Sequence, residues 1–227
     1  MRMRIKKHGA ERLAACGDLL LARPAAPFAS SRDVIGEDLP LWLEIGCGKG
    51  DFACGMAEKH PDVCFVALER ISNVMVNAVE KAAARAENRP DRLRFAVADA
   101  ATLSEWFAPH SLDAIFLNFS DPWPKKGHTK RRLTHRAFLE TYFTLLKPGG
   151  QLSFKTDNVG LFDFTLEELA SLGKTPDALT RDLHASPYNE GNVETEYEKN
   201  FSAKGFPIHY LTVTCDERRE DERLALV

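Results

Sequence analysis

The chain has 227 residues, 44% of them hydrophobic and 28% charged, with no long polar tract. That balance suits one globular domain, and the absence of any run near ~18 apolar residues excludes a membrane-spanning helix. A formal net charge of −3 gives no general reason to bind polyanions, so any such function has to rest on a local concentration of charge.

Residues 1–40 read as a basic N-terminal arm and a loosely structured lead-in. Arg2, Arg4, Lys6 and Lys7 open it, and Pro24, Pro27, Gly36 and Pro40 interrupt the remainder. The basic start does not continue as an export signal, because Gly17 and Asp18 break the next apolar stretch. Glu11 and Asp18 argue in the same way against a mitochondrial presequence.

From residue 41 to the end, one domain is expected, with strands and helices alternating. Leu41–Ile45 is a short apolar run, followed by a Gly-rich turn and by helical spacing over Asp51–His60 that Pro61 stops. Val63–Leu68 is a second strand, Ile71–Ala86 a helix ended by Asn88–Pro90, and Leu93–Ala98 a third strand. Asp113–Phe119 is nearly continuous in apolar side chains, as a strand buried on both faces should be. A helix over His135–Leu146 closes at Lys147-Pro148-Gly149-Gly150, Gln151–Lys155 is a fifth strand, and Val159–Leu172 is a helix ending at Gly173. Thr180–His184 and Ile208–Thr214 are candidates for two last strands. Successive strand–helix units predict an α/β fold with a seven-stranded, mostly parallel sheet and helices on both faces, Rossmann-like in plan. Ligands of such sheets bind beyond the carboxyl ends of the strands, near the switch in strand order.

Several residues fall at those strand ends. The first turn reads Glu44-Ile45-Gly46-Cys47-Gly48-Lys49-Gly50, a G-x-G-x-G pattern with an acid inside the strand, where a dinucleotide fingerprint would have G-x-G-x-x-G. Gly46 and Gly48 let a ligand approach the backbone closely, and Glu44 can meet an ammonium group. Glu69 ends the second strand, where a carboxylate can accept two ribose hydroxyls, and Asp99 ends the third, within reach of an adenine amino group. Each acid alone reads equally as a solvated or helix-capping residue. Three at consecutive strand ends favour S-adenosylmethionine over a nicotinamide cofactor, which leaves Glu44 unexplained.

The fourth strand runs into Asn118-Phe119-Ser120-Asp121-Pro122-Trp123-Pro124-Lys125-Lys126. A proline-stiffened polar loop of this kind suits a planar nitrogen acceptor, and Asp121 is its strongest catalytic candidate, set against a loop acid paired with the neighbouring lysines. Trp123 reads either as a stacking platform for a base or as a buried anchor. Lys125, Lys126, Lys130, Arg131, Arg132 and Arg136 then come with no acid among them, on a chain carrying 33 acids against 30 bases. This pattern points to a local polyanion site. The five dispersed cysteines (Cys16, Cys47, Cys54, Cys64, Cys215) include no C-x-x-C pair and read as reduced thiols of a cytoplasmic protein without a metal site.

With Lys130-Arg131-Arg132-Leu133-Thr134-His135, Phe154-Lys155-Thr156-Asp157-Asn158 and Thr195-Glu196-Tyr197-Glu198 in the same order, these motifs resemble the TrmB-type tRNA (guanine-N7-)-methyltransferase family over about residues 40–212. The resemblance implies a class I S-adenosyl-L-methionine-dependent methyltransferase fold whose sheet ends in an antiparallel hairpin, acting on guanine N7 in the variable loop of tRNA. It implies cofactor contacts at Glu44, Gly46, Gly48, Glu69, Asp99 and Asp121, with Asp121 catalytic. It further implies substrate contacts at Lys125, Asp157, Thr195, Glu196, Tyr197 and Glu198, and RNA contacts over Lys126, Gly127, His128, Lys130, Arg131 and Arg132. Gly127 departs from the arginine common in the family, which removes one charge of several. The expected assembly is a monomer or homodimer, with no metal and no membrane. A methyltransferase for a small molecule or protein amine is the rival reading, and it leaves the basic stretch as a solvated face; a cofactor-free RNA-binding subunit is a third. Replacing Lys130, Arg131 and Arg132 together should flatten the salt dependence of tRNA binding, and an unchanged slope in a binding titration would place the patch elsewhere.

Overall fold

The computed structural model describes residues 8–85 and 91–216. The basic residues at positions 2–7, the helix stop expected at 88–90 and most of the charged tail at 216–223 lie outside the described residues.

Seven strands form one sheet: β1 (Leu41–Ile45), β2 (Cys64–Glu69), β3 (Leu93–Val97), β4 (Leu112–Asn118), β5 (Leu146–Thr156), β6 (Ala178–Thr180) and β7 (His209–Thr214). Their order is β3-β2-β1-β4-β5-β7-β6. The first five run parallel, and β7 lies antiparallel between β5 and β6. The chain builds outward from β1 to β3, then returns to start β4 on the other side of β1. The crevice between the carboxyl ends of β1 and β4 is therefore the switch point.

Period-two alternation sorts the strand residues onto two faces. Leu41, Leu43 and Ile45 of β1 and Cys64, Val66 and Leu68 of β2 join the core beneath α5 (Arg136–Leu145) and α6 (Val159–Ser171). Phe65 and Ala67 join the opposite core with α3 (Asp51–Lys59) and α4 (Ser72–Ala83). The α4 and α5 spans follow the sequence expectation closely, because the helical repeat of their apolar positions is strong. His135 begins α5 by accepting the Ala137 N–H on Nδ1 at 3.2 Å.

Three expectations change. The connection from β3 to β4 carries only a 3-10 helix, Ala100–Glu105, rather than a full crossover helix. The penultimate strand is Ala178–Thr180 instead of 180–184, because the Thr180 hydroxyl exchanges hydrogen bonds with the backbone of Asp182 and turns the chain there. As a short edge strand with Leu179 exposed, it carries no burial pattern a sequence could show.

The largest change concerns the lead-in, which is packed rather than loose. α1 (Gly9–Ala14) and α2 (Ser31–Ile35) flank a stretch whose Leu19 and Phe28 are buried, as is Leu13 of α1. Leu20 pairs with Phe95 as a parallel bridge, Leu21 donates to the Phe95 carbonyl at 2.8 Å, and Phe28 exchanges backbone bonds with Trp106 and Ala108. Arg12 clamps Glu80 of α4 bidentately at 2.7 and 2.6 Å. The stretch thus covers the edge of β3 that would otherwise be open to pairing. Among the described residues no helix is long and apolar enough to cross a membrane.

Because Leu19 is fully buried, Leu19→Ala should lower unfolding free energy by about 2–4 kcal/mol. A denaturant midpoint equal to wild type would return the lead-in to a peripheral role.

Candidate active site

On the face covered by α3, three neighbouring strands end in polar residues where the alternation calls for apolar ones. Glu44 follows Trp42 on β1, Asn118 follows Phe116 on β4, and Lys155 follows Ser153 on β5; Asn118 and Lys155 are register partners. Glu44 is 1% exposed. One of its oxygens accepts from Asn118 Nδ2 at 2.9 Å, and the other, Oε2, is buried with no partner. Burial pushes the Glu44 carboxyl up to about 7, opposed by the Asn118 hydrogen bond and the Lys155 charge. A buried, half-satisfied carboxylate is costly unless a cation or donor completes it.

Glu44 lines a cleft of about 340 Å³, walled by Gly46, Gly48, Phe119, Thr195 and Tyr197 among others. Gly46 and Gly48 have φ of +82° and +56°, and a Cβ at either would meet nothing within 4 Å. They leave the backbone open to a ligand. Gly50 differs, since its Cβ would meet the Ala78 Cβ at 2.8 Å, so it is needed for helix packing. Glu69 borders the turn through Gly48, whose N–H donates to Glu69 Oε2 at 3.2 Å, while Oε1 accepts from Ile71 N–H at 2.9 Å. Asp99 is exposed beyond β3, caps the 3-10 helix by accepting from Ala101 N–H at 3.0 Å, and lies 3.8 Å from Arg70. Asp99 therefore performs the capping role weighed against ligand binding, Glu69 ties the Gly-rich turn to the start of α4, and both stand at the carboxyl end of the sheet.

The loop after β4 holds two bulky residues at positive φ, Phe119 at +51° and Trp123 at +40°. Each such position costs on the order of 1–3 kcal/mol and persists only where its surroundings fix it. Phe119 N–H donates to the Lys155 carbonyl at 2.9 Å, and its ring lies 5.0 Å from that of Tyr197. Asp121, between the two, is exposed. Trp123 is half-buried, with Arg131 5.0 Å over its ring and His128 edge-on at 5.7 Å. The basic stretch, a 3-10 helix over Lys126–Arg131, is thereby folded back on the loop, with Lys126, Gly127, Lys130 and Arg131 exposed and His128 half-buried. Lys125, just before it, is exposed as well. Arg132 turns inward, donating to the carbonyls of Pro122 and Trp123.

The other wall of the cleft is α7 (Glu196–Ser202). Thr195 caps it by accepting from Glu198 N–H at 2.8 Å. Glu196 pairs with Lys49 of the Gly-rich turn at 2.9 Å, fixing the helix across the cleft. Tyr197 is exposed; partial burial and then the neighbouring charge and hydrogen bond of Asp157 raise its phenol above the usual range. Glu198, a substrate contact by the motif resemblance, faces inward. It is fully buried, and its carboxylate accepts from Lys155 at 2.7 Å, Asn192 at 2.8 Å and His184 Nε2 at 2.9 Å. With those bonds made it holds α7 in place and presents no surface to a substrate. Burial works against its ionisation, yet Lys155, His184 and Asn192 hold the carboxyl below the usual value. Lys155 also donates to Asn192 Oδ1 and the Val193 carbonyl, both at 3.0 Å. The sequence signal for Lys155 was available: a lysine in phase with a buried face of a central strand. His184 and Glu194 lie beside Glu198, whose carboxylate is paired with the Lys155 ammonium.

Residues 38–211 match the model of a family described as "Putative methyltransferase". The chain is 42% identical over 216 residues to a tRNA (guanine-N(7)-)-methyltransferase of Listeria monocytogenes serotype 4b (strain F2365), covering 95% of this chain and 99% of that one. It is 43% identical over 211 residues to a protein of the same name from Limosilactobacillus fermentum, covering 93% and 97%. Among solved structures, an antibiotic related methyltransferase superposes with a TM-score of 0.60 at 17% identity over 80% of this chain and 90% of that one. A 16S rRNA methyltransferase, KamB, gives 0.60 at 15% identity over 81% and 91%. At such identities these two show the fold alone.

Glu44 gives the site a pH signature. A carboxyl at about 7 in the folded chain and about 4.5 when unfolded favours folding least once it is ionised in both states. Its unfavourable contribution should grow as pH rises from about 4.5 to about 7, reaching on the order of 3 kcal/mol. Glu44→Gln should remove this slope in thermal unfolding measured across that window; parallel pH profiles would show that Glu44 titrates normally.

Proposed function

This chain belongs to the tRNA (guanine-N7-)-methyltransferase family, and on that premise we propose that it transfers a methyl group from S-adenosyl-L-methionine to guanine N7 of tRNA at the cleft between β1, β4 and α7. The observation that carries the reading is the unpartnered Glu44 oxygen on the floor of that cleft, beside glycines whose backbone is open. A cofactor ammonium completes that carboxylate, and Gly46 and Gly48 admit the amino-acid portion. Glu69 takes the ribose hydroxyls and Asp99 the adenine edge. When bound, the cofactor supplies a methyl group activated by a sulfonium.

Guanine N7 carries a free lone pair, so attack needs no prior removal of a proton. The protein's work is alignment and stabilisation of positive charge growing on the purine. Asp121 suits both tasks. It accepts from the guanine N1–H or N2–H edge and offsets the cationic ring, and it is not required as a base. Lys125, Asp157, Thr195, Glu196 and Tyr197 orient the nucleotide. Lys126, Gly127, His128, Lys130 and Arg131 present the exposed basic turn to phosphates, which position the RNA without reading its bases. Glu198 acts on substrate only by fixing α7. We read the protein as cytoplasmic, as a monomer or homodimer, and as working without a metal.

Incubation with unmodified tRNA and cofactor, followed by nucleoside analysis, should yield 7-methylguanosine; methyl transfer to a metabolite or protein amine instead would replace the substrate assignment. Asp121→Ala should retain cofactor affinity within a few-fold while methyl transfer falls at least about a hundredfold. Wild-type turnover in that variant would remove Asp121 from the catalytic role.

A further inference from the structure

We propose that Arg132 is a positioning residue for the Asp121 loop rather than one of the residues that grip RNA phosphates; this rests on the catalytic reading of Asp121 given above. Arg131 and Arg132 are adjacent and identical in type, yet the fold treats them differently. Arg131 is exposed, with its guanidinium lying on the face of Trp123. Arg132 points the other way. Its Nε–H donates to the Pro122 carbonyl at 2.9 Å, a terminal N–H donates to the Trp123 carbonyl at 3.3 Å, and its guanidinium lies 4.3 Å over the ring of Phe164 on α6.

The two carbonyls it binds belong to the two residues that directly follow Asp121. That segment has little means of holding itself. Pro122 and Pro124 have no N–H, and Trp123 sits at φ +40°, a conformation a bulky residue leaves unless held. Arg132 supplies what the segment lacks: two donors at fixed spacing, braced flat against an aromatic ring on a long helix. The same region is tied to α6 a second time, since His135 stacks near Phe164 and Arg136 pairs with Glu168 at 2.8 Å. Asp121 is therefore positioned by a chain of contacts from α6 through Arg132 to the loop backbone. The geometry needs a planar fork. A lysine keeps the charge but cannot both span two carbonyls and lie flat on Phe164.

The test separates charge from geometry. Turnover at saturating tRNA and cofactor, cofactor affinity, thermal stability and the salt dependence of tRNA binding are measured for wild type, Arg132→Lys, Arg132→Met, Lys130→Met and Asp121→Asn. Arg132→Lys is expected to lose at least about tenfold in kcat, with cofactor affinity, melting temperature and salt slope near wild type. Arg132→Met should also keep the wild-type slope, whereas Lys130→Met should lower it by about 0.7–0.9, one phosphate contact. If Arg132→Met fails to fold, Arg132→Lys decides alone. Wild-type kcat in Arg132→Lys, or a slope lowered in Arg132→Met as much as in Lys130→Met, overturns the proposal while an inactive Asp121→Asn leaves the catalytic reading standing. Wild-type turnover in Asp121→Asn overturns both.

Discussion

A buried ammonium on the central strand β5 organises this site. Lys155 is 3% exposed and its partner Glu198 not exposed at all, and removing two such charges from water costs several kcal/mol per ion. The pair is tolerated because every donor on Lys155 and most of the acceptors on Glu198 are engaged: Asn192, Val193, His184 and the cap of α7 complete it. Burial pulls Lys155 toward its neutral form, and Glu198 opposes that pull. The interaction joins residues 43 apart in sequence and draws the segment containing α7 over the end of the sheet. With the Glu196–Lys49 pair and the Tyr197 ring against Phe119 it holds one wall of the cleft, and the Gly-rich turn and the β4 loop supply the other.

The same ammonium shapes the electrostatics of the floor. Glu44 lies two strands away on the same face, near enough for the Lys155 charge to counter part of its desolvation. The result is a carboxyl pushed up to about 7 with one buried oxygen unpartnered, a state that a nearby positive charge would stabilise. Polar groups therefore replace apolar ones along a row of three strands, and the core on that face ends where the cleft begins. The positive φ values at Phe119 and Trp123 are likewise held by groups outside the loop. Backbone conformations that an isolated loop would leave are fixed from outside, by the β5 carbonyl, by Tyr197 and by Arg132.

Particular residues show how far the sequence could be read. Leu41–Ile45 and Cys64–Glu69 declare themselves because parallel central strands bury both faces, and α4 because its apolar positions repeat at helical spacing. Glu44, Gly46 and Gly48 stand out because a glycine-rich turn with an acid in the strand is chemically unusual. Leu19 and Phe28 do not, since single apolar residues among prolines carry no period. Arg132 is indistinguishable from Arg131 in composition, and Trp123 could be platform or anchor until its neighbours are known. Glu198 and Lys155 are the clearest case: both lie within motifs that mark the family, yet no local pattern says that they face one another.

The fold class, the switch-point location of the site, the acids and glycines at the strand ends and the local excess of positive charge are all legible along the chain. Each of these depends on composition or on a period of two to four residues, which neighbours along the chain suffice to express. Which charges are satisfied internally and which are not depends on the packed fold. Lys155, Glu198 and Arg132 are satisfied by groups distant in sequence or folded back from a loop, while Glu44 keeps one buried oxygen without a partner. That division rests on burial and on hydrogen-bond partners, and these exist only once the sheet, α6 and α7 are in contact.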